Sequence, residues 1–357
     1  MTEVLHLTTL GKRWGLRRLA DARGHFRILA IDQRRPVIQL IARGRGCAPE
    51  AVGYADIAAV KRLLAEELAP YATAMLADPN FSYPSVVDLL SPRSGLLVTL
   101  EDHRFEDTPA GRKSRTVEGW SVDRIKRIGA DGVKVRLWYR PDAGAEVRAH
   151  QQAFVRGVGR DCAACDIPFV LELQLYPLAP AANPAADPAA EPTRHAELVL
   201  ESVREFAQPD YRVDLLKLES PLPIAEFPGE DDPTGVAYLQ ATFDSLSQAT
   251  GGLPWVLLSA GAAQLPFRNA LRRAYRAGAS GFLVGRAIWQ AAMEAFPDIE
   301  ACRKGLRSSA VSYMRELAVR TNTEAHDWAA DYADLRGIDR EGTFTDAVPP
   351  LGTPRPD

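Results

Sequence analysis

The stretch Val213-Asp-Leu-Leu-Lys-Leu-Glu219 sets a lysine in the middle of an apolar, strand-like run with an acidic residue at either end. An ammonium in such a run is costly unless it is paired or used. Burial can lower its pKa until a neutral amine exists at physiological pH, and that amine can attack a carbonyl to form a Schiff base. Taken alone, the run reads first as a structural lysine snorkelling from a strand end. The neighbouring sequence decides the matter, because the pattern repeats, each time with a polar residue near the C-terminal end of an apolar run.

Working outward, the runs are Phe26–Asp32, Ala72–Asp78, Gly95–Glu101, Gly132–Trp138, Pro168–Gln174, Val213–Glu219, Pro254–Ala260 and Gly281–Arg286. Between most of them lie helix-length segments with apolar residues at helical spacing, such as Ile57, Val60, Leu64 and Leu68, or Leu198, Val199, Val203 and Phe206. Residues 79–94 carry Pro79, Pro84 and Pro92 and leave room only for a short or irregular helix. Alternating strand and helix implies parallel strands with right-handed crossovers, and eight such units predict an α/β fold closed into a (β/α)8 TIM barrel. A doubly wound open sheet is the alternative, but no Gly-x-Gly-x-x-Gly follows the first run. Residues 4–22 read as an N-terminal helix capping the bottom of the barrel. The expected organisation is one barrel domain over 1–320 and a C-terminal extension over 321–357 ending in a proline-rich tail. The Ala/Pro-rich stretch 177–192, too interrupted by proline to hold a helix, should hang over the catalytic face.

With 357 residues the chain can bury a large core, and its net charge of -3 without a long basic run gives no footprint for nucleic acid or an anionic membrane. Neither a signal-peptide pattern nor an apolar run of membrane-spanning length is present, and four cysteines make no disulfide framework, so a cytoplasmic protein is expected. Cys162 and Cys165 form a lone Cys-x-x-Cys, and the six histidines have no ligand spacing. Both thiols read as residues of an amphipathic helix around 145–164, and no metal or other cofactor is expected.

In a barrel of this kind the active site gathers at the C-terminal strand ends. Those ends offer Asp32, Gln33 and Arg34 after the first strand and Asp78 after the second. Lys134 and Arg136 follow on the fourth, Glu172 and Gln174 on the fifth, Lys217 and Glu219 on the sixth, Ser259 to Gly261 on the seventh, and Gly285 and Arg286 on the eighth. Alternation puts Lys134 with Arg136, Glu172 with Gln174, and Lys217 with Glu219 on inward faces, leaving Val133, Val135, Leu137, Leu216 and Leu218 for the helix layer. The small residues after the seventh and eighth strands, with Arg286, suit a phosphate site. Two inward lysines, an inward glutamate and an anion site suit imine chemistry, with Lys134 helping to keep Lys217 neutral and Glu172 moving protons. Arg136 reads either as an ion-pair partner of Glu219 or Asp78, or as a reader of an anion at the substrate's far end.

At these residues the chain resembles the class I tagatose-1,6-bisphosphate aldolases and the related bacterial sulfofructose-phosphate aldolases. The matching motifs are Leu29-Ala-Ile-Asp-Gln-Arg34, Tyr71-Ala-Thr-Ala-Met-Leu-Ala-Asp-Pro79, Gly129-Ala-Asp-Gly-Val-Lys134, Phe169-Val-Leu-Glu172, Asp214-Leu-Leu-Lys-Leu-Glu219, Leu258-Ser-Ala-Gly261 and Gly278-Ala-Ser-Gly-Phe-Leu-Val-Gly-Arg286, in order over residues 7–320. The resemblance implies that Lys217 is the Schiff-base lysine, Glu172 the acid/base, Lys134 and Asp32 their partners, and Ser259, Gly261 and Arg286 a phosphate cradle. It also implies a small-molecule sugar phosphate as ligand, and leaves homo-oligomerisation open. Arg136 departs from an apolar position in that pattern, and the Ala/Pro loop is longer. The expected reaction is metal-independent cleavage of tagatose or fructose 1,6-bisphosphate to dihydroxyacetone phosphate and glyceraldehyde 3-phosphate. A sulfofructose 1-phosphate substrate, giving sulfolactaldehyde, is the alternative within the class. From other classes, a non-catalytic sugar-phosphate-binding regulator and a barrel isomerase stay open, whereas a metal-dependent aldolase lacks zinc-ligand spacing.

Overall fold

Eight short apolar strands, each too narrow to bury both faces alone, close into one parallel barrel. They run Phe26–Ala30, Ala74–Ala77, Gly95–Thr99, Gly132–Trp138, Phe169–Gln174, Leu215–Leu218, Trp255–Leu257 and Gly281–Val284. Each pairs with its neighbours in chain order, and the first pairs with the eighth, so the ring closes as a (β/α)8 barrel. The computed structural model describes residues 9–178, 187–229 and 231–330.

Two cores follow from the alternation of side chains. Val133, Val135, Leu137, Leu216 and Leu218 point outward into the layer between sheet and helices. Ile28, Leu76, Leu97, Val170, Leu215, Val256 and Leu283 fill the lower barrel instead. Leu215→Ala in that interior should cost about 2–5 kcal/mol, since its neighbours can collapse only partly. Leu16 and Leu19 of the helix Leu10–Leu19 join this inner cluster together with Trp328, whose ring lies 6.3 Å from that of Phe26. The bottom is thus plugged from both ends of the described chain. Lys12 Nζ, 2.6 Å from Asp214 Oδ2, adds a buried ion pair there.

Several expectations shift. The capping helix begins at Leu10 rather than residue 4, and residues 1–8 lie outside the described residues. The division at 320/321 falls inside the helix Val311–Glu324, and residues 331–357, with the proline-rich tail, lie outside the described residues. Within 177–192, residues 179–186 also lie outside them; Asp187 is buried and ion-paired to Arg140 at 2.9 Å, and Pro192 opens the helix Pro192–Phe206 at a position where its missing N–H costs nothing. Between the third and fourth strands the chain forms an antiparallel hairpin, Glu106–Thr108 with Gly111–Lys113, before the short helix Val122–Arg127. The helix Ala145–Ala164 carries Cys162 and is capped by Cys165, both as free thiols. Among the described residues, no helix is long and apolar enough to cross a membrane.

Candidate active site

Six of the strands end before the polar residue expected to close them, because the chain must leave the ladder to turn toward its helix. What happens to each side chain depends on that turn. Asp32, Gln33, Arg34, Lys134, Arg136, Glu172, Gln174, Lys217, Ser259, Gly261, Gly285 and Arg286 all line one cavity of about 350 Å³ at the C-terminal mouth. Two other expected members do not. Asp78 is wholly buried behind the strands against Lys61 of the helix Tyr54–Leu68, at 2.6 Å. Glu219, one residue past its strand, turns outward and accepts the Leu175 N–H at 2.6 Å, so it does not share the inward face of Lys217. Arg136 pairs with neither; its guanidinium instead stacks 4.8 Å from the Trp138 ring centroid, and its buried Nε has no hydrogen-bond partner among the described residues.

The centre of the cavity is a chain of charges across neighbouring strands. Glu172 Oε2 lies 2.8 Å from Lys134 Nζ and 2.8 Å from Lys217 Nζ. Lys134 Nζ also reaches Asp32 Oδ2 at 3.0 Å and Glu101 Oε1 at 2.9 Å. It donates hydrogen bonds to Asp32 and Glu101, and Glu172 is a third carboxylate in contact with its charge. Burial works against that ammonium, but Asp32, Glu101 and Glu172 outweigh it and hold the Lys134 pKa above the ordinary lysine value. Lys217 is shifted the other way: burial draws its pKa down, the Lys134 charge adds to this, and Glu172 opposes it. Burial alone would raise the Glu172 pKa, yet Lys134, Lys217 and Arg136 bring it down to about 2, so it stays a carboxylate. Asp32 is likewise held well below the usual carboxylate range, against burial, by Lys134 and Lys217.

The rims of the cavity are cationic. After the seventh strand, Ala260 (φ +48°) and Gly261 (φ +85°) both take left-handed backbone conformations. A Cβ on Gly261 would sit 3.1 Å from the Arg286 guanidinium carbon, so glycine lets that arginine lie over the loop. Gly285 is just as constrained, since a Cβ there would meet the Ala30 carbonyl at 2.3 Å. Arg286 opens the helix Arg286–Met293, and burial, then repulsion from Arg136, lowers its pKa. Neither Arg136 nor Arg286 has an ion-pair partner among the described residues. Arg34 is committed to the frame, its Nη2 donating to the Glu101 carbonyl at 3.1 Å. In all, seven cationic side chains and three carboxylates line a cavity in a chain of net charge -3, so the mouth is built for a polyanion.

Sequence reasoning missed Glu101, His103, Phe105, Arg112 and Trp138 as lining residues. Glu101 was recoverable by the rule that found Asp32, since it closes the third apolar run; Thr99 Oγ1 donates to it and helps fix it beside Lys134. Burial, and then Arg34, lower the His103 pKa to about 4, so its imidazole is neutral at physiological pH. Phe105 and Arg112 come from the unforeseen hairpin segment and had no periodic signal. No group of three or more His, Cys, Asp or Glu side chains suited to a metal ion occurs among the described residues.

Residues 26–291 match the family described as DeoC/LacD family aldolase. The chain is 33% identical over 314 residues to a tagatose 1,6-diphosphate aldolase of Lactococcus lactis subsp. lactis, covering 86% of this chain and 94% of that one. It is 32% identical over 324 residues to tagatose 1,6-diphosphate aldolase 2 of Streptococcus agalactiae, covering 89% and 97%. Among solved structures, an archaeal fructose 1,6-bisphosphate aldolase superposes with a TM-score of 0.54 at 16% identity, covering 86% of this chain and 97% of that one. A fructose-bisphosphate aldolase from Plasmodium falciparum superposes with a TM-score of 0.59 at 13% identity, covering 87% and 94%. At these identities the structural likeness concerns the barrel fold.

Proposed function

The chain belongs to the DeoC/LacD aldolase family, and from that membership we propose that it is a class I aldolase whose Schiff base forms on Lys217. The observation that carries this reading is one carboxylate, Glu172, 2.8 Å from two buried lysines whose pKa values are driven in opposite directions. Lys134, in contact with three carboxylates, is locked as a cation. Lys217, with one, is the lysine that can give up its proton and attack.

The neutral amine of Lys217 adds to the C2 carbonyl of the ketose, and Glu172 relays a proton to the departing hydroxyl, so that water leaves and an iminium remains. A base then takes the proton of the C4 hydroxyl. The C3–C4 bond breaks, its electron pair moves toward the iminium nitrogen, and the C4–C6 fragment departs as an aldehyde. Protonation of the enamine at C3 and addition of water return dihydroxyacetone phosphate and the free amine. Lys134 supplies the fixed positive charge that keeps Glu172 ionised and disfavours a proton on Lys217.

The barrel order supports an orientation for the substrate. The Ser259–Gly261 and Arg286 rim follows the seventh and eighth strands, and Lys217 is on the adjacent sixth. A phosphate on C1, one carbon from the reacting C2, suits that short separation. Arg136 is on the fourth strand, across the ring from the eighth, and suits the anion four carbons further on. With an anion expected at each end, tagatose or fructose 1,6-bisphosphate is the preferred substrate, and glyceraldehyde 3-phosphate the aldehyde product. A sulfonate on C6 would meet the same arginine and release sulfolactaldehyde, so both ketoses belong in the substrate panel.

Borohydride added with dihydroxyacetone phosphate should leave a stable adduct on the peptide containing Lys217. An adduct on Lys134 instead would overturn the assignment. Turnover should survive EDTA, because the iminium replaces a metal as electron sink; activity lost on chelation and regained with zinc would exclude the class I reading.

A further inference from the structure

The hairpin after the third strand brings Arg112 to the cavity in an unusual setting. Its guanidinium carbon lies 4.3, 5.1 and 4.8 Å from the ring centroids of Phe105, Trp138 and Tyr176. The Trp138 ring is inclined 71° to that of Phe105 and 81° to that of Tyr176, so the rings hold the cation by cation–π attraction from more than one side. Among the described residues only Nε is committed, to Asp107 at 3.2 Å, and that carboxylate is itself 67% exposed, so the pair is weakly held.

The backbone is fixed as firmly as the side chain. The Arg112 N–H donates to Tyr176 Oη at 3.0 Å, and a Cβ on Gly111 (φ +131°) would sit 2.3 Å from the same oxygen. Only glycine lets the hairpin dock here. Arg136 reaches the opposite part of the same wall, over Trp138 at 4.8 Å, so one indole carries two guanidinium groups that both border the cavity. Two stacked arginines without a carboxylate between them repel each other until an anion arrives.

We propose that Arg112, presented by the hairpin in this aromatic frame, is a specificity-determining residue that binds the terminal oxyanion group of the substrate at the end remote from Lys217, together with Arg136. The proposal rests on the aldolase reading and deepens it: the sugar must carry an anion, phosphate or sulfonate, on its far carbon. A pre-set guanidinium plane loses little freedom on binding and offers two parallel N–H donors, which suits a tetrahedral oxyanion better than a lysine would.

Arg112→Met keeps the stem and removes the donors, and Arg112→Lys keeps the charge and removes the plane. Both variants and the unaltered enzyme are compared on fructose 1,6-bisphosphate and fructose 1-phosphate, by turnover and by binding calorimetry. Arg112→Met should raise KM and Kd for the bisphosphate roughly 10- to 100-fold, as expected for a lost charge-assisted hydrogen bond, with kcat little changed. Fructose 1-phosphate should be affected less than twofold, and Arg112→Lys should fall between. Equal losses on both sugars, or none on either, would overturn the proposal, and Arg112→Lys decides the matter should the Met variant misfold. The aldolase reading fails separately: it falls if the unaltered enzyme cleaves none of fructose 1,6-bisphosphate, tagatose 1,6-bisphosphate and sulfofructose 1-phosphate, and differential binding would still report on Arg112.

Discussion

Two buried lysine–carboxylate contacts contrast in this barrel, one behind the strands and one in its mouth. Lys61 Nζ is 2.6 Å from Asp78 Oδ2, and it also donates to the Ile31 carbonyl at 2.6 Å and to Ser82 Oγ at 3.0 Å. Asp78 in turn accepts N–H bonds from Asn80, Phe81 and Ser82. Every Lys61 donor is used, and Lys61, Asp78 and Ser82 have no exposure to solvent. Lys217 has one acceptor among the described residues, Glu172, and that carboxylate is shared with Lys134. Burial lowers the pKa of both Lys61 and Lys217, so a depressed value does not by itself mark a reactive group. What separates them is satisfaction. A lysine with three acceptors fixes the chain beside Asp32, whereas one with spare protons facing a cavity is free to react.

Exchanging the roles experimentally gives the largest expected effects. Lys217→Ala should abolish turnover and the borohydride adduct while leaving the thermal midpoint nearly unchanged, since Glu172 keeps Lys134 as partner. Lys61→Ala should do the reverse. It strands Asp78 as a buried unpaired charge and should cost about 3–5 kcal/mol in denaturant unfolding, with kcat per folded molecule largely retained. A Lys61 variant that is stable but inactive would erase the distinction.

Glu172→Gln comes next. It keeps the shape of the bridge and removes its charge, so sugar phosphate binding should persist while kcat falls on the order of 10²- to 10⁴-fold, the usual contribution of general acid/base catalysis. Near-normal turnover would move the proton to another group. Arg136→Leu should act more gently, raising KM for a ketose with an anion on C6 about tenfold and leaving fructose 1-phosphate near its normal value. A change confined to thermal stability would make Arg136 structural and leave the far anion to Arg112 and Arg35, which also line the cavity.

How far the site could be read from sequence follows the ladder of hydrogen bonds. All eight strands were legible because each is a short apolar run set between segments of helical length. Lys134, Arg136 and Trp138 share a face because their strand continues to Trp138. The same rule failed for Glu219 and Asp78 because the sixth strand stops at Leu218 and the second at Ala77, and beyond a strand's last paired residue the alternation has no force. Asp78 also depended on Lys61, a partner from a helix that strand-end reading does not reach. The hairpin bearing Arg112 has arms of three residues, too short for a period-2 pattern to rise above the surrounding loop.

Glu219 gives the smallest effect and the most specific test of this boundary. It lies two residues beyond Lys217, outside the reactive cavity, where it ties the end of the sixth strand to Leu175 just past the fifth. Burial, with a further push from the Glu172 charge, raises its pKa to about 8 despite the Leu175 N–H. In an unfolded chain a glutamate titrates near 4.3. The folded protein therefore binds the proton more tightly, and the stability it gains is complete below the unfolded pKa and lost as pH rises through about 8. Glu219→Gln retains an acceptor for Leu175 and removes the titration. Thermal midpoints measured from pH 5 to pH 9 should show the variant gaining on the unaltered protein as pH rises, while kcat at neutral pH changes only slightly. A parallel pair of stability curves would mean that Glu219 is ionised throughout. A loss of turnover as large as that expected for Glu172→Gln would return it to the inward face shared with Lys217.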